Sequence, residues 1–299
     1  MLSRFGIEGE AVRRWLQKLG PGLITGASDD DPSGISTYSV AGATTGFSML
    51  WLALLTTPMM VVVQGMCARI GMVSGMGLMA VIRRHVPLWL AYLLAFMVIV
   101  ANTFNVGADI AGMAASARLL WHLPMLFLIL FFGAVLLAAQ AFLPYRAIAS
   151  TLKWLTISLV AYVITAFVVR PHWPEILKHA ILPEVHFTAS WLTILVGVLG
   201  TTITPYLFFW QSDLMVEEEK SLGRLTLASR RGATAAEIED ERVDVNVGMI
   251  FSNLVMFFII VTCAATLLPR TRTLRLPKTP PRRFVRLPAI WPTRYSRWE

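Results

Sequence analysis

Seven long apolar runs constrain the fold of this chain more than any other feature of its sequence. A helix of about 20 apolar residues crosses the roughly 30 Å hydrocarbon core of a bilayer. Helices are the expected form because backbone polar groups in lipid must be bonded within their own segment. Only 15% of the residues are charged, whereas soluble domains carry about 25%. The sequence therefore predicts an all-α integral membrane protein whose transmembrane helices lie near residues 20–43, 47–68, 88–117, 124–144, 152–169, 191–215 and 245–268.

The basic residues are distributed unevenly between the two sides of the predicted helices. With the N-terminus inside the cell, fourteen of the 26 Lys and Arg residues fall in inner segments and three fall in outer loops before the seventh helix. Cytoplasmic loops carry such an excess of Lys and Arg. The pattern predicts a cell-membrane protein with a cytoplasmic leader at residues 1–19, and it explains the net charge of +8 without a nucleic-acid partner. The charged inner residues 217–242 are predicted to be a solvated connection.

Residues 269–299 have a different composition, rich in Pro and Arg and without a periodic apolar face. An odd number of spans would put this basic segment outside the cell, where the charge rule disfavours it. Two interpretations stay open. The segment is either a disordered extension or a frame-shifted tail that replaces further helices of a truncated protein.

Two of the apolar runs contain a proline beside polar residues near their middle, at Pro32 and at Pro205. Proline lacks the N–H that a helix interior uses and disfavours helical geometry in the residue before it. Both runs are therefore predicted to be discontinuous helices. They are the first and the sixth, and interrupted spans at matching positions of two halves indicate a transporter with a midplane site. Residues 20–170 would form the first five-helix repeat, and residues 171–268 would begin the second.

The first interruption carries three consecutive carboxylates, Asp29, Asp30 and Asp31. Unwinding exposes carbonyl oxygens, and these form a site for a hard cation together with an ionised carboxylate. A charged Asp within the membrane is costly unless a cation pairs with it. We expect Asp31, next to the break, to be a metal ligand. Asp29 and Asp30 are expected to lie in a hydrated vestibule and to bind nothing.

At these residues the chain resembles the NRAMP family of metal transporters. The family's first helix carries Gly-Pro-Gly-Leu and then Asp-Pro-Gly-Asn, which residues 20–23 and 31–34 match as Gly-Pro-Gly-Leu and Asp-Pro-Ser-Gly. The family's sixth helix reads Gly-Ala-Thr-Ile-Met-Pro-His-Asn-Leu-Tyr-Leu-His-Ser, and residues 200–212 align with it without a gap. The resemblance covers about residues 15–266, the first seven of the family's eleven or so helices. It implies a LeuT-like inverted-repeat fold and passage of a divalent cation such as Mn²⁺ or Fe²⁺ by alternating access.

Carried over residue by residue, the resemblance implies three metal ligands. They are the carboxylate of Asp31, the backbone carbonyl of Thr201 and the side chain of Thr204. Four further residues would lie near the site: Ser33, Gly34, Tyr206 and Gln211.

The chain departs from the family pattern at three of these positions. Gly34 stands in place of Asn, Thr204 in place of Met and Tyr206 in place of His. A thioether favours transition metals, whereas hydroxyl, carboxylate and carbonyl oxygens favour hard ions. Mg²⁺ is therefore expected to compete with Mn²⁺ and Fe²⁺. The metal would be the substrate, and no separate cofactor is expected.

The third apolar run contains the polar residues Asn102, Asn105 and Asp109, and polar groups inside a membrane require partners or mark a path. Asp109 resembles the Asp of the family's proton route, with Asn105 beside it as a possible part of a polar path. The acidic residue expected three positions later is Gly112, so proton coupling is expected to be weakened or lost. The alternative is that these polar residues only join neighbouring helices.

Two other kinds of function remain as alternatives. A membrane-embedded metalloenzyme needs a metal-bound water flanked by acid–base groups, and no His-Glu-x-x-His or similar set occurs in the sequence. A non-transporting fragment of a transporter would fit the same motifs. The leading prediction is a metal carrier and not an enzyme.

Overall fold

Helices account for nearly all of residues 20–143 and 145–274, the part of the chain that the computed structural model describes, and no strand occurs among these residues. In chain order they are α1 (Pro21–Asp29), α2 (Pro32–Thr45), α3 (Trp51–Ser74), α4 (Leu78–His85), α5 (Leu88–Leu120), α6 (Met125–Phe142), α7 (Tyr145–Val169), α8 (Trp173–Ile181), α9 (Ala189–Thr202), α10 (Pro205–Ser221), α11 (Leu227–Arg230) and α12 (Ala235–Leu274). Five helical segments of this part are long and apolar enough to cross a membrane: Trp51–Ser74, Leu88–Leu120, Met125–Phe142, Ala189–Ser221 and Ala235–Leu268. Their number indicates a multi-pass membrane protein.

Pro32 and Pro205 begin helices at the points where the sequence predicts interruptions. The first span is divided between α1 and α2, and the sixth between α9 and α10. Proline suits the first helical position because its missing N–H has no partner there and its φ is already helical. The predicted discontinuity of both spans is confirmed. The break leaves helices of 9 and 14 residues in the first span, which is why it is absent from the five long segments.

The last helix is longer at both ends than the predicted span at residues 245–268. It begins at Ala235 because Thr234 and Glu237 form a capping box, in which Thr234 N–H donates to Glu237 at 2.7 Å and Glu237 N–H donates to Thr234 at 3.2 Å. Arg224 also donates to Glu219 and Glu237, each at 2.6 Å.

Much of residues 217–242 is therefore helical and ion-paired, so the connection between α10 and α12 is shorter than predicted, whereas most of these residues are at least partly exposed, as a solvated connection requires. At the other end α12 takes in residues 269–274 of the predicted tail. The remainder of the tail, residues 275–299, and the predicted leader at residues 1–19 lie outside the described residues.

Helix α12 is the centre of the packing. It contacts α1, α2, α3 and α7. Helix α6 packs mainly against α5, and both of these helices leave most of their apolar side chains exposed. Val255, Ile259 and Ile260 of α12 are fully buried in the main hydrophobic cluster. The first broken span therefore lies against a long, buried helix.

Two kinds of contact hold α1 against α12. The Asp244 carboxylate of α12 accepts hydrogen bonds from the N–H groups of Gly20, Gly22 and Leu23, at 2.8, 2.7 and 3.1 Å. These N–H groups lie at the beginning of a helix, where they have no partner within the helix and favour a negative charge. Glycines also let the two backbones touch, since a Cβ added to Gly26 would collide with the carbonyl oxygen of Gly248. The short helix α1 is thereby fixed to α12 along its length.

We expect Gly26→Ala to lower the thermal unfolding temperature, because the added methyl group forces α1 away from α12 and overpacking costs about 1–3 kcal/mol. The matched control is Gly133→Ala in α6, where an added Cβ meets nothing within 4 Å. That substitution should leave stability unchanged or raise it by up to about 1 kcal/mol. Tryptophan fluorescence of the purified proteins in detergent measures both changes. Equal unfolding temperatures for the two variants would contradict the close packing of α1 on α12.

Candidate metal site

The two helix breaks face each other inside the structure. The Tyr206 hydroxyl, in the first turn of α10, donates a hydrogen bond to Oδ2 of Asp31 at 3.1 Å. On the other side of the same breaks, the Tyr38 and Thr202 hydroxyls lie 3.1 Å apart. The first and sixth spans, separated by about 170 residues of sequence, therefore meet at their interruptions.

Asp31 receives hydrogen bonds on both carboxylate oxygens. Gly34 N–H and the Ser33 hydroxyl each donate to Oδ1 at 2.7 Å, and the first of these bonds caps α2. The Asn105 amide donates to Oδ2 at 3.0 Å, beside Tyr206. An ionised carboxylate only accepts hydrogen bonds, so this set of donors matches a negative charge.

The predicted polar path joins the same network. Ser33 N–H donates to Asp109 at 3.0 Å, and the Asn105 amide lies 3.4 Å from the other Asp109 oxygen. The Ser33 hydroxyl, with one hydrogen, has Asp31 at 2.7 Å and Asn105 at 2.9 Å as possible acceptors. Asn105 and Asp109 thus connect α5 to the first break. Gly112 packs against Pro32, since an added Cβ would lie 3.2 Å from the Cβ of that residue.

A cavity of about 360 Å³ lies between α5 and the break of the sixth span. Ser33, Asn105 and Tyr206 line it and also bond to Asp31, so the carboxylate lies directly behind the cavity wall. The other polar residues of the lining are Asn102, Thr201 and Thr204. The volume exceeds what a bare cation needs and leaves room for several waters, each of which takes about 30 Å³ in the liquid.

Thr201 and Thr204 both line this cavity. The Thr201 hydroxyl donates back to the carbonyls of Gly197 and Val198, at 3.0 and 3.1 Å, and is therefore used within α9. Thr201 lies in the last turn of α9, where carbonyl groups are left without a partner in the helix. The Thr204 hydroxyl is buried and has no hydrogen-bond partner among the described residues. These groups are the ones that the resemblance implies, a carbonyl at Thr201 and a side-chain oxygen at Thr204.

Gln211 does not join this network in the described part of the chain. Its side-chain oxygen accepts from the Thr25 hydroxyl of α1, and its amide nitrogen has no partner there. The prediction that Gln211 lies near Asp31 is therefore not supported by a direct contact. Tyr206, which bonds to Asp31, and Gln211 lie in the same helix and are separated by about 140° of rotation about its axis, so their side chains point to different neighbours.

Asp29 and Asp30 are buried, with exposed fractions of 1% and 5%, so the expectation of a hydrated vestibule is wrong. Ser252 of α12 donates to Oδ2 of Asp29 at 2.8 Å. The other three carboxylate oxygens of the pair have no hydrogen-bond partner among the described residues. Sequence reasoning missed Ser252, although the adjacent polar residues Ser252 and Asn253 within an apolar run indicate a buried polar contact.

In residues 20–143 and 145–274, no group of three or more His, Cys, Asp or Glu side chains is arranged to hold a metal ion. A cation at the breaks would instead combine one carboxylate with neutral oxygen donors. Carboxylate, hydroxyl and carbonyl oxygens suit Mg²⁺, Ca²⁺ and Mn²⁺.

The chain matches the family described as natural resistance-associated macrophage protein-like (Nramp) over residues 22–275. It is 30% identical over 200 residues to the divalent metal cation transporter MntH of Acidiphilium cryptum, a match that covers 65% of this chain and 46% of the relative. It is 26% identical over 262 residues to MntH of Bacillus subtilis, covering 85% of this chain and 58% of the relative. The chain thus spans about half the length of the curated relatives it matches.

Among solved structures, a crystal structure of the Eremococcus coleocola manganese transporter superposes with a TM-score of 0.69 at 19% sequence identity. The match covers 85% of this chain and 52% of that one. This likeness confirms the predicted fold, a LeuT-like inverted repeat with discontinuous first and sixth helices.

We expect Asp30→Asn to raise the thermal unfolding temperature at neutral pH. Both carboxylate oxygens are buried without a hydrogen-bond partner in the part of the chain that the structure describes. Asn keeps the size of the side chain but cannot carry a charge, and a buried unpaired charge costs more than a buried neutral amide. Calorimetry or fluorescence in detergent measures the change. Glu217→Gln is the control. It removes a partly exposed carboxylate of α10 that pairs with Lys220, and it should change the free energy of unfolding by less than about 1 kcal/mol. A lower unfolding temperature for Asp30→Asn would show that its carboxylate stabilises the fold.

Proposed function

This chain belongs to the Nramp family, and we propose that it binds a divalent metal cation at its two facing helix breaks and carries the cation across the membrane. The observation that supports this proposal is the position of Asp31. Its carboxylate joins both breaks through Tyr206 and lies behind a cavity that is lined in part by its own hydrogen-bond partners. A cation in the cavity would neutralise this charge, and an intramembrane carboxylate otherwise remains costly.

The proposed ligands are the Asp31 carboxylate, the Thr201 carbonyl and the Thr204 hydroxyl. Ser33 and Tyr206 would turn their hydroxyl oxygens toward the cation when their hydrogen bonds to Asp31 are replaced. The Gly34 N–H would keep its bond to Asp31, because it is also the cap of α2. The cation is the transported substrate, and no resident cofactor is part of the proposal.

The cation class follows from the donor atoms. All of the proposed ligands are oxygens, which suit Mg²⁺ and Mn²⁺ better than soft ions such as Cd²⁺. Mg²⁺ loses its waters reluctantly and usually keeps several of them when bound. A cavity of about 360 Å³ supports the binding of a partly hydrated ion. We therefore propose Mg²⁺ as a substrate beside Mn²⁺ and Fe²⁺.

The transport cycle would be alternating access about the fixed site, with the N-terminus in the cytoplasm. Matched relatives are named as transporters, which supports a carrier over an enzyme. We propose that Asp109 accepts hydrogen bonds from Ser33 and Asn105 and so holds these two residues in place beside Asp31. Proton coupling is proposed to be weak because Gly112 supplies no second carboxylate.

We expect Asp31→Ala to reduce uptake of Mg²⁺ and Mn²⁺ into proteoliposomes by at least about tenfold, since a lost charged ligand costs more than about 1.4 kcal/mol. Glu217→Gln is the control and should transport like the unaltered chain. Equal uptake by Asp31→Ala and the unaltered chain would remove Asp31 from the mechanism. Calorimetric titration of both proteins in detergent separates binding from transport. If the unaltered chain binds the cation but does not take it up into proteoliposomes, it has the proposed metal site but not the carrier activity.

We expect Thr204→Met to change the order of preference among cations. A thioether in place of the hydroxyl should raise the affinity for Cd²⁺ relative to Mg²⁺ by about tenfold, because soft sulfur selects soft ions. Thr193→Met, on an exposed face of α9, is the matched control and should leave the ratio unchanged. An unchanged ratio in Thr204→Met would place that side chain outside the coordination sphere.

A further inference from the structure

Tyr38 and Thr202 form a buried hydrogen bond between the first and the sixth span. Tyr38 lies in α2 and is 0% exposed, and Thr202 is the last residue of α9 and is 1% exposed. Their hydroxyl oxygens lie 3.1 Å apart. The Thr202 hydroxyl has two acceptors for its own hydrogen, the Val198 carbonyl at 2.8 Å and the weaker Met256 sulfur at 3.3 Å. Tyr38 is therefore the donor in the bond between the two hydroxyls.

The side chain of Tyr38 reaches back toward the beginning of α2. Tyr38 lies almost two turns after Pro32, but long side chains of a helix point toward its N-terminus. The ring lies beside Gly34, since a Cβ added to that residue would be 3.6 Å from Cε2 of Tyr38. Gly34 is the residue whose N–H donates to Asp31 at 2.7 Å. The bond from Tyr38 therefore joins the end of α9 to the turn of α2 that holds Asp31.

Each end of this bond adjoins a proposed metal ligand. Asp31 caps α2, and Thr202 directly follows Thr201, whose carbonyl is the proposed ligand from the other break. Thr201 lines the cavity at the breaks, whereas Tyr38 is fully buried and is not part of the lining. Tyr38 can therefore affect a cation only through the position of the residues that bind it.

The bond also stays in place when the proposed site is occupied. A cation replaces the hydrogen bond between Tyr206 and Asp31, because it takes the carboxylate as a ligand. Neither Tyr38 nor Thr202 contributes a proposed ligand, so their bond continues to join the two breaks around the cation. It then limits how far the Thr201 carbonyl can move away from Asp31.

Such a limit acts on the size of the cation. Mg²⁺ binds oxygen at about 2.0–2.1 Å and Ca²⁺ at about 2.3–2.6 Å. Two ligands on opposite sides of Ca²⁺ are consequently farther apart by about 0.4–1.2 Å. Selectivity between these two ions depends on the size and the flexibility of the site. A bond that resists separation of the breaks therefore disfavours Ca²⁺ and leaves Mg²⁺ unaffected.

We propose that Tyr38 is a positioning residue that makes the site select Mg²⁺ over Ca²⁺. It acts through Thr202, whose position fixes the Thr201 carbonyl relative to Asp31. This inference rests on the proposed metal site and adds to it a residue that does not contact the cation.

The test compares the full 299-residue chain with Tyr38→Phe by calorimetric titration with Mg²⁺ and with Ca²⁺ in detergent. Phe keeps the buried ring and removes only the hydrogen-bond donor. We expect the ratio of the Mg²⁺ affinity to the Ca²⁺ affinity to fall by about threefold to tenfold, the size of effect that one hydrogen bond supports. A ratio that is unchanged or higher in Tyr38→Phe would overturn the proposal.

Tyr162→Phe in α7 is the matched control. Tyr162 packs against the same hydrophobic cluster as Tyr38 but belongs to neither broken span. Any general loosening of the cluster lowers the unfolding temperature without a change in the affinity ratio, so Tyr162→Phe should keep the ratio of the unaltered chain. An equal fall of the ratio in both variants would assign the effect to loosening of the cluster and contradict a specific role of Tyr38.

A second variant, Thr202→Val, removes the acceptor of the same bond and keeps the branched side chain. It should lower the ratio as Tyr38→Phe does, and the double variant should show no further fall, because the two hydroxyls act as one pair. Independent effects that multiply in the double variant would overturn the proposal.

The unaltered chain separates this inference from the proposed function. If it binds neither Mg²⁺ nor Mn²⁺, the proposed metal site is wrong and the role of Tyr38 falls with it. If it binds Mg²⁺ and the ratio does not respond to Tyr38→Phe, the metal site stands and only the role of Tyr38 is overturned.

Discussion

Polar groups inside a bilayer need partners from the protein, because the lipid offers none. The fold satisfies this requirement for Asp31 by bringing donors from three places: the first turn of α2, the middle of α5 and the first turn of α10. Each break therefore depends on the other. If Tyr206 and Asn105 were elsewhere, an aspartate at this depth would face hydrocarbon, and if Asp31 were elsewhere, those two side chains would lack their acceptor.

The N-terminal half of the first span, helix α1, is too short to be stable by itself. Isolated helices shorter than about 12–15 residues are marginal in water, and α1 has only 9 residues. Its stability comes from α12, through the Asp244 carboxylate at its N-terminus and the backbone contact at Gly22 and Gly26. The long helix α12 thus holds one side of the broken span, while the Asp31 network holds the break itself.

The parts of this arrangement that sequence could predict are those fixed by single residues. Proline determines where a helix can begin, so both breaks were predictable from Pro32 and Pro205. The rotation of the chain about each break was not predictable, because it depends on tertiary contacts. Three consecutive aspartates consequently separate: Asp31 faces α5 and α10, while Asp29 bonds to Ser252 of α12.

The start of α12 was missed for another reason. The capping residues Thr234 and Glu237 were visible in the sequence, but hydropathy alone defined the predicted span and excluded the charged turns before residue 245.

The hydrogen bonds to Asp31 indicate how a cation in the proposed site would act on the rest of the fold. A cation on Asp31 competes with the hydrogen bonds from Asn105 and Tyr206, which connect the first break to α5 and α10. The Gly34 and Asp244 contacts involve neither of these helices. In the proposed site the cation would join the two breaks through Asp31, Thr201 and Thr204 while it weakens the bond from Asn105 of α5. The broken spans could then move relative to α5 while α1 stays attached to α12, and relative movement of this kind is what alternating access requires.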